Sequence, residues 1–355
     1  MRAIFASDLH AHTWRPYASV DSKGRNTRLM DLIDVVGQIV DMAVERKVSD
    51  VFVGGDVFHV KRHVPVQAAV LMYEAFANGK DRGVTWHIIP GNHDTVVGDT
   101  GAETTPLILQ DVARVYQGPQ VDKSRRFVFV PWGDQEKVKL FLKDLRGEWD
   151  LLLYHGETDG AYVGPTDYPL PLSSRISLKD LRPEIFRLVM MGHLHRRQRV
   201  GGSKSNAWYI GNPLPKDAGE REVDKGVIFV DGDEMKILQT RHPTFVSVDV
   251  TTTEDWKKTK GNYVLYTVPH DFTDSALEKL VGATEPKAFD VRRAAKLIDR
   301  TGKRDTTMRL GLTIEEMIDG WVEEVAGDAA AEEKQRLKDA GRRYAKTSAI
   351  EGRDH

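Results

Sequence analysis

VTWHIIPGNHD, residues 84–94, is a short run rich in β-branched and aromatic residues that stops at Pro90-Gly91 and passes straight into Asn92, His93 and Asp94. An apolar run of that length, closed by Pro-Gly, reads as a buried strand whose carboxyl end delivers ligand-type side chains. Upstream, VQAAVLMYEAFANGKDR (66–82) has helical apolar spacing, and VFVG (51–54) is a second strand running into Gly55-Asp56. Residues 27–47 form another helix, and RAIFAS (2–7) is a strand ending at Asp8. The order βαβαβ predicts parallel strands joined by crossover helices in an α/β layer fold. Downstream, strands are expected at 126–131, 150–155 and 187–191, shorter ones near 207–210 and 226–231, and a helix over 134–146.

After HPTF (242–245) the texture changes: VSVDV, a short helical stretch from Thr253, NYVLYTV and a helix from Thr273 predict a small α+β domain. Beyond it the charge segregates. Residues 292–309 hold seven Lys/Arg against two Asp, 315–333 eight acids and no base, and 334–346 six Lys/Arg against one Asp. The domain scheme is therefore 1–245, 246–308 for the small α+β domain, and 309–355 for a C-terminal helical arm and tail.

The 355 residues carry Lys+Arg 51 against Asp+Glu 53, a net charge of -2, so a nucleic-acid partner must be held by local basic patches. Zero cysteines exclude disulfides, thiolate zinc sites and a cysteine nucleophile. The N-terminal run lacks a basic segment followed by an apolar core, and no apolar run reaches the roughly 18 residues of a membrane span. A cytoplasmic protein without membrane contact is expected.

Five short motifs collect groups that bind hard or borderline metals: DLH (Asp8, His10), GGDVFH (Asp56, His59), GNHD (Asn92, His93, Asp94), YHG (His155) and GHLH (His193, His195). Most follow predicted strands, on the rim where open α/β folds build sites. Shuffling a chain with 30 Gly and 12 His would give only about 0.03 G-H-x-H strings, so the match is informative. Two divalent ions side by side need a carboxylate able to bridge them, imidazole and carboxylate ligands on either side, and open positions for substrate. His, Asp and Asn together suit Mn²⁺, Fe²⁺ or Zn²⁺, whereas Mg²⁺ favours more oxygen ligands. Outside the motifs, His87 alternates along a strand and reads as structural, and His63, His242 and His270 carry no motif. Asp94 reads either as an orienter of His93 or as an ordinary turn aspartate.

In this order the motifs resemble the calcineurin-like metallophosphoesterase superfamily. GGDVFH and the extra C-terminal region resemble its SbcD-type DNA-repair nucleases and the related phage recombination endonuclease subunits. The resemblance covers about residues 1–245 and extends more weakly beyond. It implies a β-sandwich flanked by helices (αββα), followed by the small capping domain and the helical arm. It further implies one metal on Asp8, His10, Asp56 and His195 and a second on Asp56, Asn92, His155 and His193, with Asp56 bridging. By the same resemblance His93 is the acid that protonates the leaving oxygen, His59 contacts the phosphate or places the strand, and the cofactors are two divalent ions, Mn²⁺ first with Mg²⁺, Fe²⁺ or Zn²⁺ as alternatives. The chain departs from the pattern after His10, where Ala11 and His12 replace Leu-Gly. His12 is read as a solvent-exposed loop histidine.

The expected activity is two-metal phosphodiester hydrolysis by a DNA exo- or endonuclease subunit. The other readings are a stand-alone phosphatase or cyclic-nucleotide phosphodiesterase, and an adaptor that chiefly docks an ATPase. No GxxxxGK[ST] string occurs, so ATP dependence must come from a partner. The resemblance names that partner as an SbcC-type coiled-coil ATPase, gripped by a terminal helix-loop-helix, and it allows a homodimer. TIEEMIDGWVEEV (313–325) repeats apolar residues in a helical stripe that includes Met317 and Trp321, the expected docking residues. Arg292, Arg293 and Lys296 are the expected DNA contacts.

Overall fold

The computed structural model describes residues 1–95, 103–162, 176–220, 224–252, 256–294, 318–319, 322–323 and 330–351. The chain packs as two units, Met1–Ala295 and Lys296–His355.

In the first unit the opening segment folds as the βαβαβ pattern requires. Strands β1 (Arg2–Ala6), β2 (Asp50–Val53) and β3 (Thr85–Ile88) lie parallel and adjacent, linked by helices α1 (Thr27–Glu45) and α2 (Val66–Asp81). The sheet is completed by β4 (Ala113–Val115), parallel to β3, and on the other edge by β11 (Gly226–Asp231) and β12 (Glu234–Gln239), giving the order β12-β11-β1-β2-β3-β4. A second six-stranded sheet has the order β5 (Gln120–Asp122), β6 (Phe127–Val130), β7 (Trp149–His155), β8 (Phe186–Gly192), β10 (Ala207–Tyr209), β9 (Gln198–Val200). Its central strands β6, β7, β8 and β10 are parallel.

Strand periodicity explains how the sheets stack. On β1, Ile4 and Ala6 face the core shared with α1 and α2, while Ala3 and Phe5 join Phe52, Phe129, Leu153 and Met190 in a core between the two sheets. Val128, Leu152 and Val189 point the other way, with Val138 and Leu142 of α3 (Gln135–Asp144). Strands buried on both faces read as continuous apolar runs, which is why the sequence shows them clearly. The result is helices, sheet, sheet, helix: the expected αββα sandwich. Helix starts follow local chemistry, with Asn26 capping α1 through the Leu29 amide and Asp134 capping α3 through those of Glu136 and Lys137.

Residues beyond 244 build a three-stranded parallel sheet, β13 (Phe245–Asp249), β14 (Tyr263–Val268) and β15 (Ala288–Arg293), with α4 (Asp274–Thr284) capped by Thr273 as expected. The helical stretch expected from Thr253 lies partly outside the described residues, and its described part is a single tight turn, Lys257–Thr259. This sheet sits on α1: the Tyr263 hydroxyl and the Lys287 ammonium both bond the buried Asp31 carboxylate, and the Arg28 guanidinium lies over the Phe245 and Tyr263 rings.

In the second unit α5 (Ala331–Glu351) pairs with the described helical residues before it: Arg342 bonds Asp319 at 2.6 and 2.7 Å, and Lys334 and Lys338 reach Glu323 at 3.0 and 2.6 Å. Val322, a member of the apolar stripe, is wholly buried, while Met317 and Trp321 lie outside the described residues. Among the described residues no helix is long and apolar enough to cross a membrane.

Candidate metal centre

The parallel strands bring their carboxyl ends to one rim. Asp8 and His10 follow β1, Asp56 follows β2, and Asn92 and His93 follow β3; His155 closes β7, and His193 and His195 follow β8. Asp8, His10, Asp56 and His193 all adopt left-handed backbone (φ 55°, 49°, 51° and 98°), a conformation uncommon away from glycine. Four such residues in the loops of one rim mark a site whose geometry the surrounding structure enforces.

The glycines of the motifs make room. Gly55, at φ +105°, lies where a Cβ would run into the His155 ring, and a Cβ on Gly91 would meet Asp56 Oδ1. The fully buried Asp94 ties the loops together by accepting the amides of Val57 (3.1 Å), Phe58 (3.0 Å) and Gly91 (3.0 Å). Burial pushes its carboxyl up to about 6, against the pull of those amides. Asp94 therefore orients backbone and not the His93 ring, which corrects the orienter reading; that ring is held by Nδ1–H donation to the His59 carbonyl at 2.7 Å.

Three groups of side chains converge closely enough to share an ion: Asp8, His10 and His195; Asp56, His155 and His193; and His10, His59 and His93. Asp56 faces two ways, with Oδ2 3.7 Å from His10 Nε2 and Oδ1 3.7 Å from His155 Nε2. His10 Nε2 and His195 Nε2 are 3.0 Å apart. The Asn92 carboxamide oxygen lies 3.1 Å from His155 Nε2 and 2.9 Å from His193 Nδ1.

Hydrogen bonds at the far side of each ring fix which nitrogen is free. His155 Nδ1 faces the Gly54 carbonyl at 2.6 Å and His195 Nδ1 faces Glu220 at 2.5 Å, so both must donate there and present an unprotonated Nε2 inward. His193 turns Nε2 to Glu157 at 3.3 Å, leaving Nδ1 beside Asn92. Burial acts to raise Glu220, yet hydrogen bonds and charge from His195 and Lys225 hold its carboxyl well below the usual range. Sequence reasoning missed Glu220 and Glu157 because neither lies in a ligand motif. The Glu220–Lys225 spacing, with Asn212 bonded to the same carboxylate, could not reveal a partner of His195 without the fold.

Electrostatics match a cation site. Asp8 and Asp56 are buried without a cationic hydrogen-bond partner among the described residues. Burial first, then the neighbouring Asp8 and Asp94, push Asp56 well above its usual value. Burial lowers His155 to about 4 and takes His10 well below its usual value, keeping both rings neutral, as metal ligands must be. Two carboxylates, four imidazoles and a carboxamide oxygen fit borderline divalent ions.

The other expected residues fall at the mouth of the site or away from it. His59 stacks on His93 (5.1 Å, 16°) at the mouth, and burial lowers it to about 4. His12 is half-buried and not the exposed loop histidine expected: it packs against Trp14 (5.2 Å) and His59 (5.4 Å), because the longer loop folds back over the site. His87 is structural, bonded to Asp50 and Tyr116. Arg292 and Arg293 are exposed on β15; Arg293 is tied to Asp274 at 2.9 Å and to the Phe272 carbonyl, and Lys296 lies outside the described residues.

Residues 1–197 match the family model described as calcineurin-like phosphoesterase. The chain is 24% identical over 203 residues to exonuclease subunit 1 of Enterobacteria phage T4, an alignment covering 55% of this chain and 56% of that one. The chain thus spans about half the length of that relative. A solved dimetal phosphatase from Danio rerio aligns with a TM-score of 0.38 at 11% identity, over 66% of this chain and 94% of that one.

Proposed function

The chain belongs to the calcineurin-like phosphoesterase family, a family of metal-dependent phosphoester hydrolases, and from that premise we propose that it is a two-metal DNA nuclease subunit. The observation that carries the two-metal reading is Asp56, one buried carboxylate with an oxygen toward each of two nitrogen-rich groups. Asp8, His10 and His195 would hold one ion with Asp56, and Asn92, His155 and His193 the other; Mn²⁺ is the ion proposed. Bound there, divalent ions supply charge neutralisation at phosphorus and a water of lowered pKa.

The protein's own groups supply the rest. His93 holds its Nδ1–H on the His59 carbonyl and leaves Nε2 toward the site; in the imidazolium form, protonated at Nε2 as well, it would give that second proton to the leaving oxygen and return to the neutral Nδ1–H ring. The parallel His59 ring fixes the plane of His93 and stands where a phosphate oxygen would arrive. Glu220, Glu157 and the Gly54 carbonyl lock ring orientations, so little reorganisation remains at reaction.

DNA as substrate, and an SbcC-type ATPase as partner of the arm, are supported by the likeness to the phage exonuclease subunit and by a C-terminal region that a small-molecule phosphatase would not require. The deciding experiment is a manganese-dependent assay on linear, hairpin and circular DNA beside a phosphomonoester. Cleavage of DNA with little monoester turnover is expected; the reverse preference would give the site to a phosphatase.

A further inference from the structure

We propose that Lys216 and His12 form an anion subsite that holds the phosphate next to the scissile one in a bound strand; this rests on the nuclease reading above. A small cavity opens beside the Asp8 and His10 end of the rim, lined also by His12, Trp14, Arg28 and Lys216. Its volume is about 20 Å³, room for one or two water-sized atoms, so it accepts an oxygen of a charged group and not a base.

The cations around this end differ in how far they are already engaged. Arg28 donates to the Pro16 and Lys216 carbonyls at 3.2 and 2.6 Å and lies over Trp14, and Lys225 is bound to Glu220. The Lys216 ammonium has no hydrogen bond or ion pair among the described residues, although its backbone is fixed: its N–H donates to the Glu220 carboxylate (3.1 Å) and its carbonyl accepts from Arg28. An unpaired ammonium on an anchored backbone is a point charge waiting for an anion.

His12 supplies the second partner. Its Nδ1 is buried and has no hydrogen-bond partner among the described residues, in a ring held in place by Trp14 and His59. A buried polar nitrogen left unmatched is costly unless a ligand completes it. As the neutral Nδ1–H tautomer it would donate to the same anion. Both residues line the cavity with Arg28 and Tyr263, at the Asp8 and His10 end of the rim and without Asp56 in its walls, so an anion held there would be a phosphate flanking the one under attack.

The test compares the full-length protein with Lys216→Met, Lys216→Arg and His12→Phe on two substrates under manganese: an oligonucleotide and bis(p-nitrophenyl) phosphate, which has no flanking phosphate. The expected result is that the oligonucleotide-to-small-diester ratio of kcat/KM falls about tenfold or more in Lys216→Met, chiefly through KM, and several-fold in His12→Phe, with Lys216→Arg restoring much of it. The salt dependence of oligonucleotide binding should lose about one unit of slope in Lys216→Met. An equal loss on both substrates, or no loss on either, would overturn the subsite. If the wild type hydrolyses the small diester but no oligonucleotide, the nuclease reading itself falls and takes the subsite with it; a wild type that cuts DNA and a Lys216→Met that keeps the ratio sinks the subsite alone.

Discussion

Asp56 is placed where one substitution should separate ligand roles from structural ones. Its carboxylate faces both groups, so Asp56→Asn should abolish hydrolysis and weaken metal binding at once. His93 lies beside the ligand Asn92 and turns its Nδ1 away to a carbonyl, so His93→Leu should keep its metal while slowing cleavage roughly 10²-fold or more, measured as turnover beside metal content. Loss of metal would make His93 a ligand instead. Glu220→Ala should cost roughly 10- to 100-fold in metal affinity, read by calorimetric titration, because it frees the His195 ring to turn. The residues in the five motifs could be picked out in the sequence because metal chemistry restricts which side chains can serve and strand ends gather them. Glu220, Glu157 and Lys216 could not: their roles depend on which loop folds beside which ring, and a glutamate or lysine on a loop has no distinguishing local pattern.

At the scale of elements, the three-stranded sheet is pinned to α1 through a buried carboxylate. Asp31→Ala would leave the Tyr263 hydroxyl and Lys287 without their acceptor and should cost about 2–4 kcal/mol in denaturant unfolding, with hydrogen exchange rising first in β13–β15. Asp50, at the start of β2, gives a pH signature. Burial acts to raise it, but hydrogen bonds from His87 and Arg125 hold it at about 2, against 3.8 ordinarily. Because the folded value is depressed, its contribution is present above about pH 4 and lost as pH falls through about 2; Asp50→Asn should flatten that part of the acid-stability curve. The central strands were legible because burial on both faces makes them apolar throughout. The edge strands β4, β5, β9 and β12 were harder to read: β12, EMKILQ, is largely exposed and polar, and its pairing with β11 is fixed by a hairpin, not by apolar pattern.

For the whole molecule, the site draws on both sheets: Asp8, His10, Asp56 and Asn92 from the first, His155, His193 and His195 from the second. Ions bound there would clamp the sandwich, so Mn²⁺ at about 100 times its Kd should stabilise the fold by about 2.7 kcal/mol for each ion, and a chelator should reverse this. The arm makes a separable prediction. Truncation at about 308 should leave the melting temperature and manganese-dependent cleavage nearly unchanged while abolishing co-purification with an ATPase partner; a fall in melting temperature would mean the arm packs on its own chain. The central claim is tested most directly by Mn²⁺ stoichiometry at equilibrium, measured on the wild type and Asp56→Asn beside hydrolysis of DNA. Two ions per chain in the active wild type, with activity and at least one ion lost in the variant, is the result expected; two ions retained with full activity in Asp56→Asn would contradict it.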